Sequence, residues 1–210
     1  MTPLAQGLEK GVADLGLPPL VSTQIEQLLA YSRLLVEWSK AFNLTAVTGE
    51  ENVLRRHILD SLSVLPYLRG NRFLDVGTGA GLPGIPLAIT RPDDCFVLVD
   101  SREKRVHFLR IVIQKLGVSN VSAVCGRVES FGDEAGFSTI LSRAFAPLPT
   151  FISMTSHLLA PDGVWCAMTG QVVDFEQSCG DLPVTLIEQS PLCIPGEDKA
   201  RHVVVVGKKT

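Results

Sequence analysis

Apolar residues recur with two different spacings along the chain, and the change between them falls near residue 70. Upstream, helical spacing covers 22–40, with Ser22 or Thr23 as the N-cap, and again 50–66. Downstream, short apolar runs alternate with helical stretches. They predict strands near 72–76, 95–100, 121–125, 137–142, 163–168, 184–190 and 202–207. They predict helices near 83–91, 102–116, 147–159 and 171–180.

The alternation predicts an α/β fold with a seven-stranded, mostly parallel sheet. The last two strands are joined without a full helix, which indicates one antiparallel strand. We therefore expect residues 1–70 to form an N-terminal helical appendage and residues 71–210 to form a Rossmann-like domain. The turn between them is Leu68-Arg69-Gly70-Asn71.

Glycines follow the first predicted strand in an unusually dense group, at Gly77, Gly79, Gly81 and Gly84. A chain that leaves a strand here can bend sharply and let a ligand approach its backbone. The second strand then ends on Asp100. A carboxylate at that place in a βαβ unit is suited to binding a ribose diol.

The spacing of these glycines separates two kinds of nucleotide loop. In dinucleotide-binding loops the first glycine directly follows the strand, and counting from Gly77 puts Leu82 at the third glycine position. Asp75 followed by Gly-x-Gly-x-Gly instead resembles the S-adenosylmethionine loop of class I methyltransferases. The resemblance implies that the loop lies beneath the methionine and ribose of this cofactor. Asp75 would then lie near its amino end, and Asp100 would accept from the ribose hydroxyls.

The ends of the third and fourth strands offer further site residues, because ligands of open α/β sheets bind at the carboxyl ends of strands. Val128 and Glu129 follow the third strand, where adenine contacts usually lie in this fold. Arg143 follows the fourth strand, nearest the transferring methyl group, and is our candidate for catalytic positioning and charge stabilisation. His57 is a second catalytic candidate. It and Asp60, one helical turn apart, either face the cleft or dock the N-terminal segment against the sheet.

Composition limits the partners and the location. The five cysteines are odd in number and lack metal-type spacing, so we expect reduced thiols and no metal site. No apolar run is long enough for a membrane span and no secretory signal is present, so we expect a soluble, cytoplasmic protein. The net charge is −3, yet basic residues cluster at 55–57, 102–110, 201–202 and 208–209. These clusters permit an RNA partner.

Several motifs together resemble the glucose-inhibited division protein B family over nearly the whole chain. They are the tryptophan to asparagine-leucine-threonine segment at 38–45, Arg-His-Ile-Leu-Asp-Ser at 56–61, the glycine loop continuing to Leu87, Ser-Arg-Ala-Phe at 142–145 and Arg-His at 201–202. The resemblance implies methyl transfer from S-adenosyl-L-methionine to N7 of one guanine in the decoding-region hairpin of 16S rRNA. The RNA partner would be 16S rRNA in the 30S subunit or an assembly intermediate, and we expect a monomer.

The resemblance also implies cofactor contacts at Gly77, Leu82, Val128, Glu129 and Arg143. With the glycine loop and the strand-end carboxylate, the predicted cofactor-binding set is Gly77, Gly79, Gly81, Leu82, Asp100, Val128, Glu129 and Arg143. One departure from the family pattern is Thr169, where many relatives have a lysine before Gly170-Gln171. Any role of that lysine would fall here to Arg143 or Arg127.

The implied chemistry needs no general base, because guanine N7 carries a lone pair and no proton. Three other functions remain open from the sequence. A short-chain oxidoreductase is disfavoured because neither Tyr31 nor Tyr67 has a lysine four residues later. A non-catalytic RNA-binding module would be favoured if Thr169 has disabled transfer. A small-molecule methyltransferase fits the basic clusters and helical N-terminus less well.

Overall fold

A computed structural model describes residues 2–209, in which seven strands form one sheet in the order β3-β2-β1-β4-β5-β7-β6. All neighbouring strands are parallel except β7, which runs antiparallel to both β5 and β6. The strands are β1 Arg72–Val76, β2 Cys95–Asp100, β3 Val121–Cys125, β4 Phe137–Arg143, β5 Leu159–Thr169, β6 Val184–Pro191 and β7 His202–Lys208. The predicted mostly parallel seven-stranded sheet is confirmed.

Eight α-helices accompany the sheet within residues 2–209. They are α1 Pro3–Asp14, α2 Ser22–Phe42, α3 Glu50–Val53, α4 Asp60–Leu62, α5 Gly84–Thr90, α6 Glu103–Leu116, α7 Leu148–Thr155 and α8 Phe175–Cys179. A π-helical turn at Leu54–Leu59 joins α3 to α4 without a break, and a 3₁₀ turn follows at Leu65–Tyr67. None of the helices in this part of the chain combines the length and apolar character needed to cross a membrane.

The two faces of the sheet bury separate hydrophobic clusters, as alternation along each strand requires. Phe73 and Phe96 lie on one face, with ring centroids 4.7 Å apart, and pack in the cluster that also contains apolar residues of α1, α2, α5 and α6. Leu74 and Trp165 lie on the other face and pack with α7 and α8. The N-terminal helices therefore share a hydrophobic cluster with the sheet rather than standing away from it.

The helices differ from the sequence expectation in detail. The α1 helix was not predicted as a separate element, although Thr2 caps it with a side chain that accepts from the Ala5 N–H. The predicted helix at 50–66 is interrupted by the π-helical turn, and the one at 171–180 shortens to Phe175–Cys179, beginning where Asp174 caps it. The α7 helix ends at Thr155, after which a 3₁₀ turn leads into β5.

Candidate active site

A cavity of about 400 Å³ lies where β1, β2, β3 and β4 end at the same edge of the sheet. We call it the cofactor cavity. The residues that define it here are Gly77, Asp100, Arg105, Val128, Glu129 and Phe145. Four of the predicted cofactor-binding residues, Gly77, Asp100, Val128 and Glu129, thus lie around one space, although they come from three separate stretches of the chain.

The glycine loop has the backbone conformation that its composition predicts. Gly77, Gly79 and Gly81 have φ values of +64°, +62° and +96°, a region that side chains with a Cβ rarely adopt. A Cβ at Gly77 would also overlap the ring of Phe145. Gly81 and Leu82 are buried in the loop and do not line the cofactor cavity. They shape the loop from behind.

Asp100 is the buried acidic group of the cavity wall, only 4 % exposed, whereas Glu129 is exposed. Its Oδ2 accepts from the Gly79 N–H at 3.0 Å and from Nη1 of Arg105 at 3.1 Å, and its Oδ1 accepts from the Arg102 N–H at 2.9 Å. The glycine loop and the start of α6 are therefore both fixed to this carboxylate. Arg105, which the sequence analysis did not single out, is the side chain that shares it.

Asp75 lies behind the glycine loop, fully buried, and is not among the residues that line the cavity. Its Oδ2 accepts from the Thr78 hydroxyl at 2.6 Å and the Gly84 N–H at 2.8 Å, so it ties the two ends of the loop together. Its Oδ1 is buried without a hydrogen-bond partner within the described residues. Burial raises the pKa of this carboxyl to about 6, and the hydrogen bonds from Thr78 and Gly84 oppose the rise.

A second cavity of about 430 Å³ adjoins the first, and we call it the base cavity. Its lining includes Asp60, Arg143, Met168, Thr169 and Arg201. Ala144 lines both cavities and so forms the boundary between them. Its φ is +52°, which is uncommon for a residue with a Cβ, and such backbone strain is concentrated at functional sites.

Arg143 ends β4 and lines the base cavity rather than the cofactor cavity. Its Nε lies 3.0 Å from Oδ2 of Asp60, and its Nη2 donates to the carbonyl oxygen of Arg56 at 3.1 Å. Nη2 also lies 3.1 Å from Nδ1 of His57. Within residues 2–209, Nη1 of Arg143 makes no hydrogen bond to protein. One side of this guanidinium is held by the N-terminal segment, and the other is available to a ligand.

His57 is 7 % exposed and lines neither cavity. Its Nε2 lies 2.7 Å from the Thr45 hydroxyl, and its Nδ1 lies 2.9 Å from the carbonyl oxygen of Arg56. Burial, together with the charge of Arg143, lowers the pKa of His57 to about 4, so the ring is neutral at pH 7. The sequence left open whether His57 and Asp60 face the cleft or dock the N-terminal segment against the sheet. His57 makes the docking contact only, whereas Asp60 makes the docking contact and also faces a cavity.

The residues present fit S-adenosylmethionine as the occupant of the cofactor cavity. Its volume lies in the range usual for small-molecule sites. Glycine at position 77 lets the Phe145 ring, which also lines the cavity, pack directly against the loop backbone, and Asp100 offers acceptor oxygens for a diol. Val128 gives a buried apolar wall beside the exposed carboxylate of Glu129. These groups suit an adenine ring and its amino group.

The fold and this site define a class I S-adenosylmethionine-dependent methyltransferase. The magnesium protoporphyrin IX methyltransferase from Synechocystis, solved with bound S-adenosylmethionine, is similar over 84 % of this chain and 96 % of its own, with a TM-score of 0.60 and 15 % identity. The tRNA (uracil-54, C5)-methyltransferase of Pyrococcus abyssi has a TM-score of 0.56 and 17 % identity over 76 % of this chain and 39 % of its own. At these identities the likeness shows the fold.

The family follows from sequence comparison. The model of the rRNA small subunit methyltransferase G (GidB) family matches residues 24–204. The ribosomal RNA small subunit methyltransferases G of Idiomarina loihiensis and Shewanella amazonensis are 46 % and 47 % identical to this chain. The two comparisons cover 96 % and 98 % of this chain, and 98 % and 99 % of those relatives. The chain belongs to the rRNA small subunit methyltransferase G family. The predicted family, fold class, methyltransferase activity on small-subunit rRNA and S-adenosylmethionine cofactor are confirmed.

Proposed function

We propose that this chain transfers the methyl group of S-adenosylmethionine to N7 of one guanine in the decoding-region hairpin of 16S rRNA. The observation that carries the proposal is the pair of adjoining cavities at the carboxyl edge of the sheet, which share Ala144. One cavity suits the cofactor, and the other has the size, the apolar wall and the charged groups of Asp60, Arg143 and Arg201 to take a base withdrawn from an RNA hairpin. A methyl group held at their boundary would face the base.

In the cofactor cavity, Asp100 would accept hydrogen bonds from the ribose hydroxyls. Val128 would pack against the adenine ring, and Glu129 would accept from its amino group. The backbone of Gly77 would pass beneath the methionine part of the cofactor, because the Phe145 ring lies against the other side of Gly77. Gly79, Gly81 and Leu82 would act indirectly by holding the loop in shape, since the Gly79 N–H already bonds Asp100.

When bound, the cofactor supplies an electrophilic methyl group on a positively charged sulfur. In the transfer, the N7 lone pair forms the new bond to the methyl carbon, and the sulfur keeps the electrons of the bond that breaks. The positive charge moves from sulfur to the guanine ring, and no proton is transferred at N7. The site therefore needs positioning rather than a general base, and such positioning can supply about 7–11 kcal/mol. For the same reason we propose that no metal ion takes part.

Arg143 would orient the base in the second cavity. Its Nε and Nη2 are held by Asp60 and Arg56, which leaves Nη1 to donate to guanine O6. O6 is the acceptor next to N7 on the same edge of guanine, so this contact would fix N7 without blocking it. We therefore assign Arg143 to the base rather than to direct cofactor contact, and His57 to the support of Arg143.

The remaining parts of the proposal concern the setting of the reaction. Exposed Arg102 and Arg127 at the mouth of the cofactor cavity, and the basic residues along α6, would contact RNA phosphates. We propose the 30S subunit or an assembly intermediate as substrate, a monomeric enzyme and a cytoplasmic location. Residues 1–70 would serve as the helical layer that supports the site, while residues 71–210 hold the cofactor.

The experiment uses 30S subunits from a strain that lacks this chain. They are incubated with the purified protein and tritiated S-adenosylmethionine, and N7-methylguanine is mapped in 16S rRNA by reverse transcription and mass analysis. We expect about one methyl group per subunit, in the decoding-region hairpin. Parallel incubations with naked 16S rRNA identify which form is the substrate, and 50S subunits serve as the negative control.

Three outcomes would contradict the proposal. Binding of 30S subunits without incorporation of label would support the non-catalytic RNA-binding module instead. Label on a different atom or nucleotide would contradict the assignment of N7 or of the hairpin. A calorimetric titration that shows binding of NAD and no binding of S-adenosylmethionine would support the short-chain oxidoreductase instead.

A further inference from the structure

Asp60 is a buried carboxylate that lies between two arginines of the base cavity. It is 1 % exposed, and its Oδ2 lies 3.0 Å from Nε of Arg143 while its Oδ1 accepts from Nε of Arg201 at 3.2 Å. All three side chains line the base cavity. A carboxylate so thoroughly removed from water is costly unless it is paired, and here both of its oxygens face guanidinium groups, Oδ1 through a hydrogen bond and Oδ2 through an ion pair without hydrogen-bond geometry.

The three residues come from distant parts of the chain. Asp60 begins α4 in the N-terminal segment, Arg143 ends β4 and Arg201 directly precedes β7. Because β7 is antiparallel to β5, its first residue lies at the edge where the parallel strands end, with His202 paired to Thr169. The cluster therefore joins the N-terminal helical layer to two strands at the site itself.

The charges around the cluster have a direct bearing on the reaction. Arg143 and Arg201 face Asp60, while Arg56 pairs with Glu197 at 3.5 Å and His57 is neutral at pH 7. Burial raises the pKa of Asp60, the two arginines oppose that rise, and Glu197 adds to it. With Asp60 ionised, the two guanidiniums and one carboxylate leave a single net positive charge beside the base. Without Asp60 there would be two.

We infer that Asp60 is a positioning residue that holds Arg143 and Arg201 in place and offsets their charge, so that the base can become cationic as N7 accepts the methyl group. The inference rests on the proposed function, because only transfer to N7 brings a new positive charge into this cavity. Asp60 acts through the two arginines and takes no proton. A preorganised opposite charge near the atom where charge develops stabilises the transition state without reorganisation.

The test compares turnover, KM for S-adenosylmethionine and thermal stability in the wild type, Asp60→Asn and the double variant Asp60→Asn/Arg201→Gln. The single variant keeps the shape of the side chain and removes its charge. We expect its kcat to fall by about 10-fold to 100-fold with KM changed less than about 3-fold. The double variant restores a single net positive charge, and we expect it to recover at least about 3-fold in kcat over the single variant.

Asp133→Asn is the matched control. Asp133 pairs with both oxygens to Nη2 of Arg72, at 3.0 and 2.9 Å, outside both cavities. We expect this control to lose stability without losing turnover. Recovery of kcat in the double variant, without a matching recovery of thermal stability, would be a readout that a purely structural role does not give, because a structural role would move both together.

The possible results separate failure of the proposed function from failure of the inference about Asp60. A wild type that leaves N7 of 16S rRNA unmethylated overturns the proposed function and this inference with it. Normal wild-type methylation with an Asp60→Asn turnover within 2-fold of wild type overturns the inference alone. A double variant slower than the single variant also overturns it. Should Asp60→Asn fail to fold, Asp60→Glu and the double variant take its place. A folded double variant whose turnover equals that of Arg201→Gln alone would then count against the inference.

Discussion

The hydroxyl of Tyr31 donates a 2.8 Å hydrogen bond to the carbonyl oxygen of Ala80, inside the glycine loop. Tyr31 is fully buried on α2, and Ala80 lies between the two positive-φ residues Gly79 and Gly81. Burial raises the pKa of this tyrosine, so its hydroxyl keeps its proton at pH 7 and remains a donor. A helix from the N-terminal segment thus supports the cofactor loop from behind.

Tyr31→Phe removes that donor and leaves the Ala80 carbonyl without its partner. An unsatisfied buried acceptor costs about 1–3 kcal/mol, so we expect the free energy of unfolding to fall by that amount in urea titrations. Tyr67→Phe is the control, because the Tyr67 hydroxyl makes no side-chain hydrogen bond in the described chain. An equal loss in both variants would mean that the Tyr31 contact contributes nothing specific.

Asp100→Ala tests the cofactor cavity. The substitution removes the acceptor for the ribose hydroxyls and releases the Gly79 N–H, so we expect calorimetry to give an S-adenosylmethionine Kd at least about 10-fold higher. Asp93→Ala, an exposed residue at the other end of β2, should bind as the wild type does. An unchanged Kd in Asp100→Ala would mean that this carboxylate does not contribute to cofactor binding.

Arg143→Ala tests the orientation of the base. Because Arg143 lines the base cavity, we expect kcat on 30S subunits to fall about 100-fold while the Kd for S-adenosylmethionine stays within about 3-fold. Arg143→Lys should recover little, since an ammonium cannot hold Asp60 and donate to the base in one fixed plane. Arg69→Ala, exposed before β1 at the opposite edge, is the control. Normal turnover in Arg143→Ala would refute the assignment of Arg143 to the base. A rise in the Kd for S-adenosylmethionine without a fall in kcat would instead assign Arg143 to the cofactor.

The low pKa of His57, about 4 against an ordinary 6.5, predicts a pH effect on stability. The unfolded chain binds a proton more readily, so the contribution of His57 is fully present above pH 6.5 and is lost as pH falls towards 4. The loss amounts to about 2–4 kcal/mol. We expect urea titrations to show the wild type losing more stability than His57→Gln between pH 7.5 and 4.5. His107→Gln, at an exposed position, should follow the wild type, and parallel curves for all three proteins would contradict the prediction.

Strand positions and the glycine loop could be predicted because their causes are local. Each strand is an apolar run bounded by turn residues, and β1 and β3 begin and end at the predicted residues. Gly77, Gly79 and Gly81 take positive φ values where the chain turns sharply, and that requirement is visible in the glycine spacing of the sequence. Asp100, Val128 and Glu129 followed from the rule that strand ends form the site.

The partners of Asp60 could not be predicted in the same way. Its contacts to Arg143 and Arg201 span 83 and 141 positions of the chain, and no local pattern encodes such pairs. The division between two cavities at Ala144 likewise depends on how β4 ends against its neighbours. Arg105 had a weak signal, as a basic residue five positions after Asp100 on α6, but the cluster around it equally fits a solvated helix face.

The π-helical turn at Leu54–Leu59 has one consequence for how this segment can change. A wider turn holds one residue more than an α-helix does, and Asp60 directly follows it. Wound as a regular α-helix, the same residues would carry Asp60 further around the helix axis by about one residue's rotation, about 100°, away from both arginines. The irregular backbone is thus the reason that a carboxylate from the N-terminal layer reaches the rim of the sheet, and a regular helix of the same length would come at the cost of that reach.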